Sequence, residues 1–576
     1  MSDFSTRSPR LVTMTLREGT AVAVATAAAW LVLIVLMNPR GEFPLMDDWI
    51  YHRMVAAWIA GGRLEIPEVT QMVAVGHVAL GVALARLAGL TFETLRVAML
   101  ATGWLGVVAL YAACRAFGAA PAVAGLAAAT LLVNPIYLIL SATFMTDVPF
   151  FLLSTLALIF YARALDTPSW RSVAAATALS AAAGTIRQPA LILPTAFLVG
   201  LPLRHGRRVA VLAAAPFAIV TAELAVLPIA LEAAGRLPRD YNLPLREMMR
   251  HLGAPSVEWL SFSAKRALNI GFHLGWFLLP FTLLARGSGE NSQGSRDKGQ
   301  GTIRLAAALA GLIALAVLVT GKVAPWGSSL LYDFGLGGVS LYDVAVLGLP
   351  HLPRAPWLFW FIFTIASGIT VAILVVQWGV TLGDAFARPG ARACAASAFA
   401  LLAVAGYAGP MVLSWFYDRY LLPIVPCLVL YAAIRPGFTA RRVAVSAAIL
   451  VPLGLAAAAA GHDYFAWNRA RWQALGVLMA RASPRQIDGG YEFAGLTRYA
   501  DGTDWQQPAD RTFVVAFGPV PGYREVGRFE YAGWLPPRRA AILALERDGV
   551  SRRSEAKADR VSASTRTDGA PTPADR

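Results

Sequence analysis

Apolar stretches of roughly 17 to 25 residues recur along most of this chain, each long enough to cross a hydrocarbon layer about 30 Å thick. They lie near residues 21–37, 94–115, 120–138, 147–164, 171–186, 189–203, 208–230, 267–286, 304–321, 356–380, 393–412, 419–434 and 442–460, about thirteen helical spans. A mean hydropathy of +0.55 with 57% hydrophobic and 15% charged residues is far from a water-soluble domain of 576 residues. The chain is therefore read as a polytopic membrane protein. Its first stretch is read as a retained helix, because Asn38-Pro39-Arg40 is a poor small-residue cleavage site for a signal peptide.

The net charge of +15 would point to nucleic acid in a soluble protein, but here the arginines fall in short connections between apolar segments. Arg7, Arg10 and Arg17, Arg115, Arg163 and Arg171, Arg204, Arg207 and Arg208, Arg286 and Arg304, Arg388 and Arg392, and Arg435, Arg441 and Arg442 all land on one side. Positive residues mark the cytoplasmic side, so their role is orientation, and no nucleic-acid partner is expected. Segments 38–93, 139–146, 187–188, 231–266, 322–355, 413–418 and everything after 461 then face outward. Cys114, Cys394 and Cys427 show neither metal-site nor disulfide spacing.

These readings give an all-α polytopic membrane protein with surface helices in the first outer loop and a small α+β periplasmic domain at its C-terminus. The expected divisions are a cytoplasmic tail 1–20, a transmembrane domain 21–460 whose outer loop 38–93 carries acids, a periplasmic domain 461–549 and a disordered tail 550–576. Thr512 to Phe517 is expected to be a strand.

Polar residues gather at the outer helix ends: Asp47 and Asp48; Asp147 in Thr146-Asp147-Val148-Pro149; Arg187 in Ile186-Arg187-Gln188-Pro189; and Asp418-Arg419-Tyr420. Ionised side chains at a membrane boundary are costly and so mark function. A helix cap before Trp49 requires only one acid, and two are present. Two acids and two arginines on one face suit a reaction in which a hydroxyl or amine loses a proton while an anionic phosphate leaves.

The order of these motifs resembles the polytopic type C glycosyltransferases, in particular the bacterial branch similar to protein O-mannosyltransferases and the lipid A aminoarabinose transferase. Met46-Asp47-Asp48-Trp49 followed by Tyr51 and Gly61-Gly62-Arg63 resembles the family's first-loop acidic motif. Thr146-Asp147-Val148-Pro149 resembles its second, and Tyr417-Asp418-Arg419-Tyr420-Leu421-Leu422-Pro423 its late motif. The resemblance implies Asp47 as general base and Asp48 as supporting carboxylate. It implies substrate contacts from Asp147, Arg187, Asp418, Arg419, Tyr420 and His77, with Arg187 and Arg419 on the donor phosphate. His77 stands in Ala74-Val75-Gly76-His77-Val78, which keeps a family histidine without the prolines that often follow it. A divalent cation (Mg, Mn or Zn) held by Asp47 and Asp147 is an optional cofactor, since hard cations favour carboxylate oxygens.

The implied activity is inverting transfer of a hexose or pentose from a polyprenyl-phosphate donor to a lipid, glycan or protein acceptor, outside the cytoplasm at the cell inner (plasma) membrane. The rival readings are a transporter or lipid flippase, and a non-catalytic envelope assembly protein. A transporter would favour midplane acids, broken helices and internal repeats, whereas this chain clusters its acids at one face.

Overall fold

The computed structural model describes residues 14–282, 293–321, 323, 330–333, 335–386, 392–433, 440–502, 506, 508 and 510–549. The inner loop around 287–292 and the tail from 550 lie outside the described residues. The helices of the first half are α1 (Leu16–Met37), α2 (Asp48–Gly61), α3 (Val75–Ala88), α4 (Phe92–Ala116), α5 (Pro121–Leu132), α6 (Pro135–Leu140), α7 (Asp147–Asp166), α8 (Trp170–Gly184), α9 (Ile192–His205), α10 (Ala210–Ala233), α11 (Leu243–Gly253), α12 (Val257–Phe277) and α13 (Leu279–Thr282). The second half contains α14 (Gln293–Thr320), strands β1 (Leu331–Tyr332) and β2 (Gly335–Leu336), α15 (Tyr342–Ala345), α16 (Trp357–Phe386), α17 (Arg392–Leu413), α18 (Ile424–Ala433) and α19 (Ala440–Met479). Strand β3 (Ile487–Asp488), α20 (Tyr491–Arg498) and strands β4 (Phe513–Ala516), β5 (Tyr523–Trp534) and β6 (Pro537–Arg547) complete the chain.

Among the described residues seven helical segments are long and apolar enough to cross a membrane: Leu16–Met37, Phe92–Ala116, Asp147–Asp166, Arg207–Ala233, Trp357–Val376, Ala395–Leu413 and Ala440–Met479. The protein is multi-pass, but the expected count of about thirteen is not reached by this measure. The run 120–138 is split because Asn134 caps α6, accepting the Tyr137 N–H at 3.0 Å, and Pro135 cannot continue α5. Helices α8 and α9 have 15 and 14 residues. At 1.5 Å per residue that is about 22 Å, short of the hydrocarbon thickness. The run 419–434 opens on a 3-10 turn, Asp418–Leu421, and α18 begins only at Ile424.

The chain divides into two compact units, Met1–Gly338 with Arg354–His462, and Val339–Pro353 with Asp463–Arg576. In the second, the sheet order is β3-β4-β6-β5, with β3 parallel to β4 and the other pairs antiparallel. Its core is Val514, Ala516, Val520, Leu543 and Leu545. Asp343, in the segment 322–355 expected to face outward, is buried in this unit. Its carboxylate accepts the Phe517 N–H at 2.9 Å and meets His351 Nδ1 at 2.7 Å.

In the first unit the approach to Asp47 is fixed by one guanidinium. Arg96 of α4 is buried and donates to the carbonyls of Ala142 (3.0 Å), Pro39 (3.2 Å), Gly41 (2.6 Å) and Phe43 (3.0 Å). The loop returns the contact at the N-terminus of α4, where Glu42 accepts the Phe92 and Glu93 N–H groups at 2.8 and 3.1 Å. Glu93 in turn accepts the Gly41 N–H at 2.8 Å. Position 41 must be glycine, since its φ is +135° and a Cβ there would come within 2.0 Å of the Phe43 ring.

Helix α3 is keyed to the segment that carries Arg187. The Gly76 N–H donates to Thr185 O at 3.1 Å, and a Cβ on Gly76 would strike the Thr185 hydroxyl at 2.0 Å. One residue further, His77 is fully buried, stacked on Phe144 at 4.0 Å and edge-on to Tyr51 at 5.1 Å. Its Nε2 lies 3.2 Å from Phe144 O and its Nδ1 is buried without a partner. Burial pushes its pKa down to about 4, so the folded chain holds it neutral.

Two outcomes are expected. Arg96→Leu leaves four carbonyls without their donor and should cost about 3 kcal/mol or more, hydrogen bonds to a charged group being worth about 1.5–3 kcal/mol each. Thermal unfolding of the detergent-purified protein reads this, and an unchanged midpoint would remove the anchoring role. For His77 the folded pKa lies below the unfolded one, near 6.5. Its stabilisation is complete above about pH 6.5 and is lost as pH falls through the window down to about 4. The stability difference between wild type and His77→Asn should therefore shrink on acidification across that window; a pH-independent difference contradicts the assignment.

Candidate functional site

Asp47 occupies the N-cap position of α2 but makes no capping bond with its side chain. Its neighbour closes the local turn instead: buried Asp48 accepts the Leu45 N–H at 2.7 Å. Between them Met46 takes a left-handed φ of 56°, a conformation that costs a non-glycine residue about 1–2 kcal/mol. With the turn held this way, Asp47 Oδ2 accepts from Arg419 Nη2 at 2.9 Å. The Asp47 side chain keeps 27% of its surface exposed, so it remains reachable.

A second pair stands beside the first. Asp147, in the first turn of α7, accepts from Arg187, an extended residue just beyond α8. Arg187 lies over the Tyr420 ring at 4.7 Å, and Arg419 lies over Tyr417 and Tyr420 at 5.5 Å each. Tyr420 therefore sits between two guanidinium groups, the arrangement a ring quadrupole favours.

The field in the site is shared. Burial works against the charge on Arg419, yet Asp47, Tyr420 and Asp147 hold it well above the usual arginine range. Burial opposes the charge on Arg187 in the same way, and Asp147 overrides it. Burial drives the Tyr51 hydroxyl above its ordinary range, Asp47 adds to that, and Arg187 and Arg419 act against it. Two atoms of opposite character, Asp147 Oδ2 and Arg419 Nε, are buried without a hydrogen-bond partner. Buried polar atoms are nearly always paired, so these two hold unused hydrogen-bonding capacity inside the site.

Asp47, Asp147, Arg187, Arg419 and Tyr420 thus converge, although they come from four separate segments. Asp418 does not join them. Fully buried, its carboxylate accepts the Leu330 N–H at 3.2 and 3.0 Å, the Leu331 N–H at 2.8 Å and the Arg419 N–H at 2.8 Å. His77 contributes packing beneath Tyr51. Three residues are added by the fold: Tyr51, Thr146 and Met72. The Tyr51 and Thr146 hydroxyls point to Met72 Sδ at 3.9 and 3.8 Å. Tyr51 was legible, since it lies one helical turn beyond Asp47 on the same face; Met72 carried no signal.

A cation on Asp47 and Asp147 would have to take these two carboxylates from their arginines. Among the described residues no three His, Cys, Asp or Glu side chains gather, and each of the two carboxylates already faces an arginine.

No protein-family model matches the chain, and no curated protein matches it. Solved structures are similar to it at low identity. The crystal structure of ArnT from Cupriavidus metallidurans bound to undecaprenyl phosphate is 14% identical, with 92% of this chain and 98% of that chain covered at a TM-score of 0.37. ArnT from the same organism in the apo state is 14% identical, with 91% and 97% covered at a TM-score of 0.32.

Proposed function

We propose that the protein is a membrane glycosyltransferase that moves a sugar from a polyprenyl-phosphate donor to a lipid, glycan or protein acceptor on the periplasmic side of the inner membrane. The observation that carries this reading is the charge-balanced double pair Asp47–Arg419 and Asp147–Arg187, with an unpartnered Arg419 Nε beside it. Two buried guanidinium groups beside one tyrosine suit a phosphate, which accepts bidentate donation. A partly exposed carboxylate next to them suits proton removal.

In the reaction the acceptor hydroxyl or amine attacks the anomeric carbon as its proton passes to Asp47. The bond from that carbon to the phosphate oxygen breaks, and the electron pair leaves with the prenyl phosphate toward Arg419 and Arg187. Attack opposite the leaving group inverts the anomeric centre without a covalent enzyme intermediate. The donor phosphate competes with Asp47 for Arg419, so donor binding withdraws the guanidinium and leaves the carboxylate free to take the proton. Asp147 keeps Arg187 in place, and Asp48 holds the turn that presents Asp47.

Asp47→Asn should lower sugar transfer by about 10²–10⁴-fold, the usual contribution of a positioned base, without weakening donor binding, because the phosphate then has no carboxylate to displace from Arg419. The assay is transfer from prenyl-phosphate sugars in membranes containing the full chain; wild-type turnover in the variant would sink the base assignment. Comparing the sugars on envelope lipids, glycans and proteins with and without the chain should reveal one missing modification, which identifies donor and acceptor together.

A further inference from the structure

Arg419 rides on a four-residue 3-10 turn, Asp418–Leu421, too short to fix a side chain through its own hydrogen bonds. Its direction must come from elsewhere. Asp418 is the only link in that turn with a carboxylate, and it is committed to backbone. Its Oδ1 accepts the Arg419 N–H at 2.8 Å, while its oxygens also take the Leu330 and Leu331 N–H groups at 3.0 and 2.8 Å. One buried side chain thus joins the Arg419 backbone to a segment about ninety residues earlier in the chain.

That segment is itself held. Strands β1 and β2 pair in antiparallel register, Leu331 with Leu336 and Tyr332 with Gly335, and the Gly337 N–H closes onto Leu330 O at 2.7 Å. At the other end of the hairpin Asp333 accepts the Ala355 N–H and the Trp360 indole N–H, each at 2.8 Å, at the start of α16. The hairpin is therefore braced on both sides.

We propose that Asp418 is a positioning residue for Arg419, acting through the backbone, and that the 330–337 hairpin is the frame against which it sets the guanidinium between Asp47 and Tyr420. The inference rests on the reading of Arg419 as a ligand of the donor phosphate. A carboxylate is required there, because the turn and the hairpin present N–H donors and an amide would turn an NH2 group against them. The acid adjacent to the phosphate ligand thus has its effect without touching substrate.

The test is a double-mutant cycle on the purified full chain, with undecaprenyl phosphate as the probe and uncharged undecaprenol as its control. Arg419→Gln should weaken undecaprenyl phosphate binding and leave undecaprenol binding alone. Asp418→Asn should weaken undecaprenyl phosphate binding about ten-fold, and the double variant should bind no more weakly than Arg419→Gln by itself. Wild-type affinity in Asp418→Asn, or a loss that adds to that of Arg419→Gln, overturns the positioning role while leaving the phosphate role standing. Unchanged affinity in Arg419→Gln overturns both. Asp333→Asn loosens the hairpin from α16 with Asp418 intact and carries the same cycle where Asp418→Asn is not recovered folded. A loss that disappears in the Arg419→Gln background supports the frame, and an absent or additive loss overturns it.

Discussion

A single buried guanidinium, Arg96, holds the entry to the site together. It draws the carbonyls of Pro39, Gly41 and Phe43 and that of Ala142 onto one planar fork, so the segment leading to Asp47 and the segment leading to Asp147 share an anchor. Glu42 and Glu93 add a reciprocal contact at the start of α4. Loops between helices would otherwise be free to move, and the geometry of a charged site does not tolerate that freedom. The strained φ at Met46 persists because the surroundings on both sides of it are fixed in this way.

The site built on that anchor follows from the cost of burying charge. An isolated buried carboxylate or guanidinium is expensive, and pairing each with its opposite removes most of that cost. Asp47 with Arg419 and Asp147 with Arg187 achieve this, while the Tyr420 ring lies against both guanidinium groups. Such a balance stores the means of its own disturbance. A third charge, such as the anionic phosphate proposed above, would change which partner each arginine serves.

Much of the architecture was legible in periodicity and hydropathy. The apolar runs became helices, the segment 512–517 became β4, and the motif order brought Asp47, Asp147, Arg187 and Arg419 to one place. The departures have local causes. Hydropathy falls after residue 460, but α19 continues to Met479, because Asp463, Asn468 and Arg469 change what the helix faces without breaking it. Asp418 has the same composition signal as Asp47, yet one acid meets backbone N–H groups and the other a guanidinium.

By itself the sequence determined that the chain crosses a membrane repeatedly, that it ends in a small sheet unit, and which charged residues lie at the helix ends. Those properties are local: they depend on the length of an apolar run, the alternation of a strand and the position of a breaker. The tertiary structure alone decided which acid pairs with which arginine, that Asp48 and Asp418 serve the backbone, and that Thr146 and Met72 join the site. Pairing depends on distances between segments that the chain separates by 40 and 372 residues, and no local pattern encodes those distances.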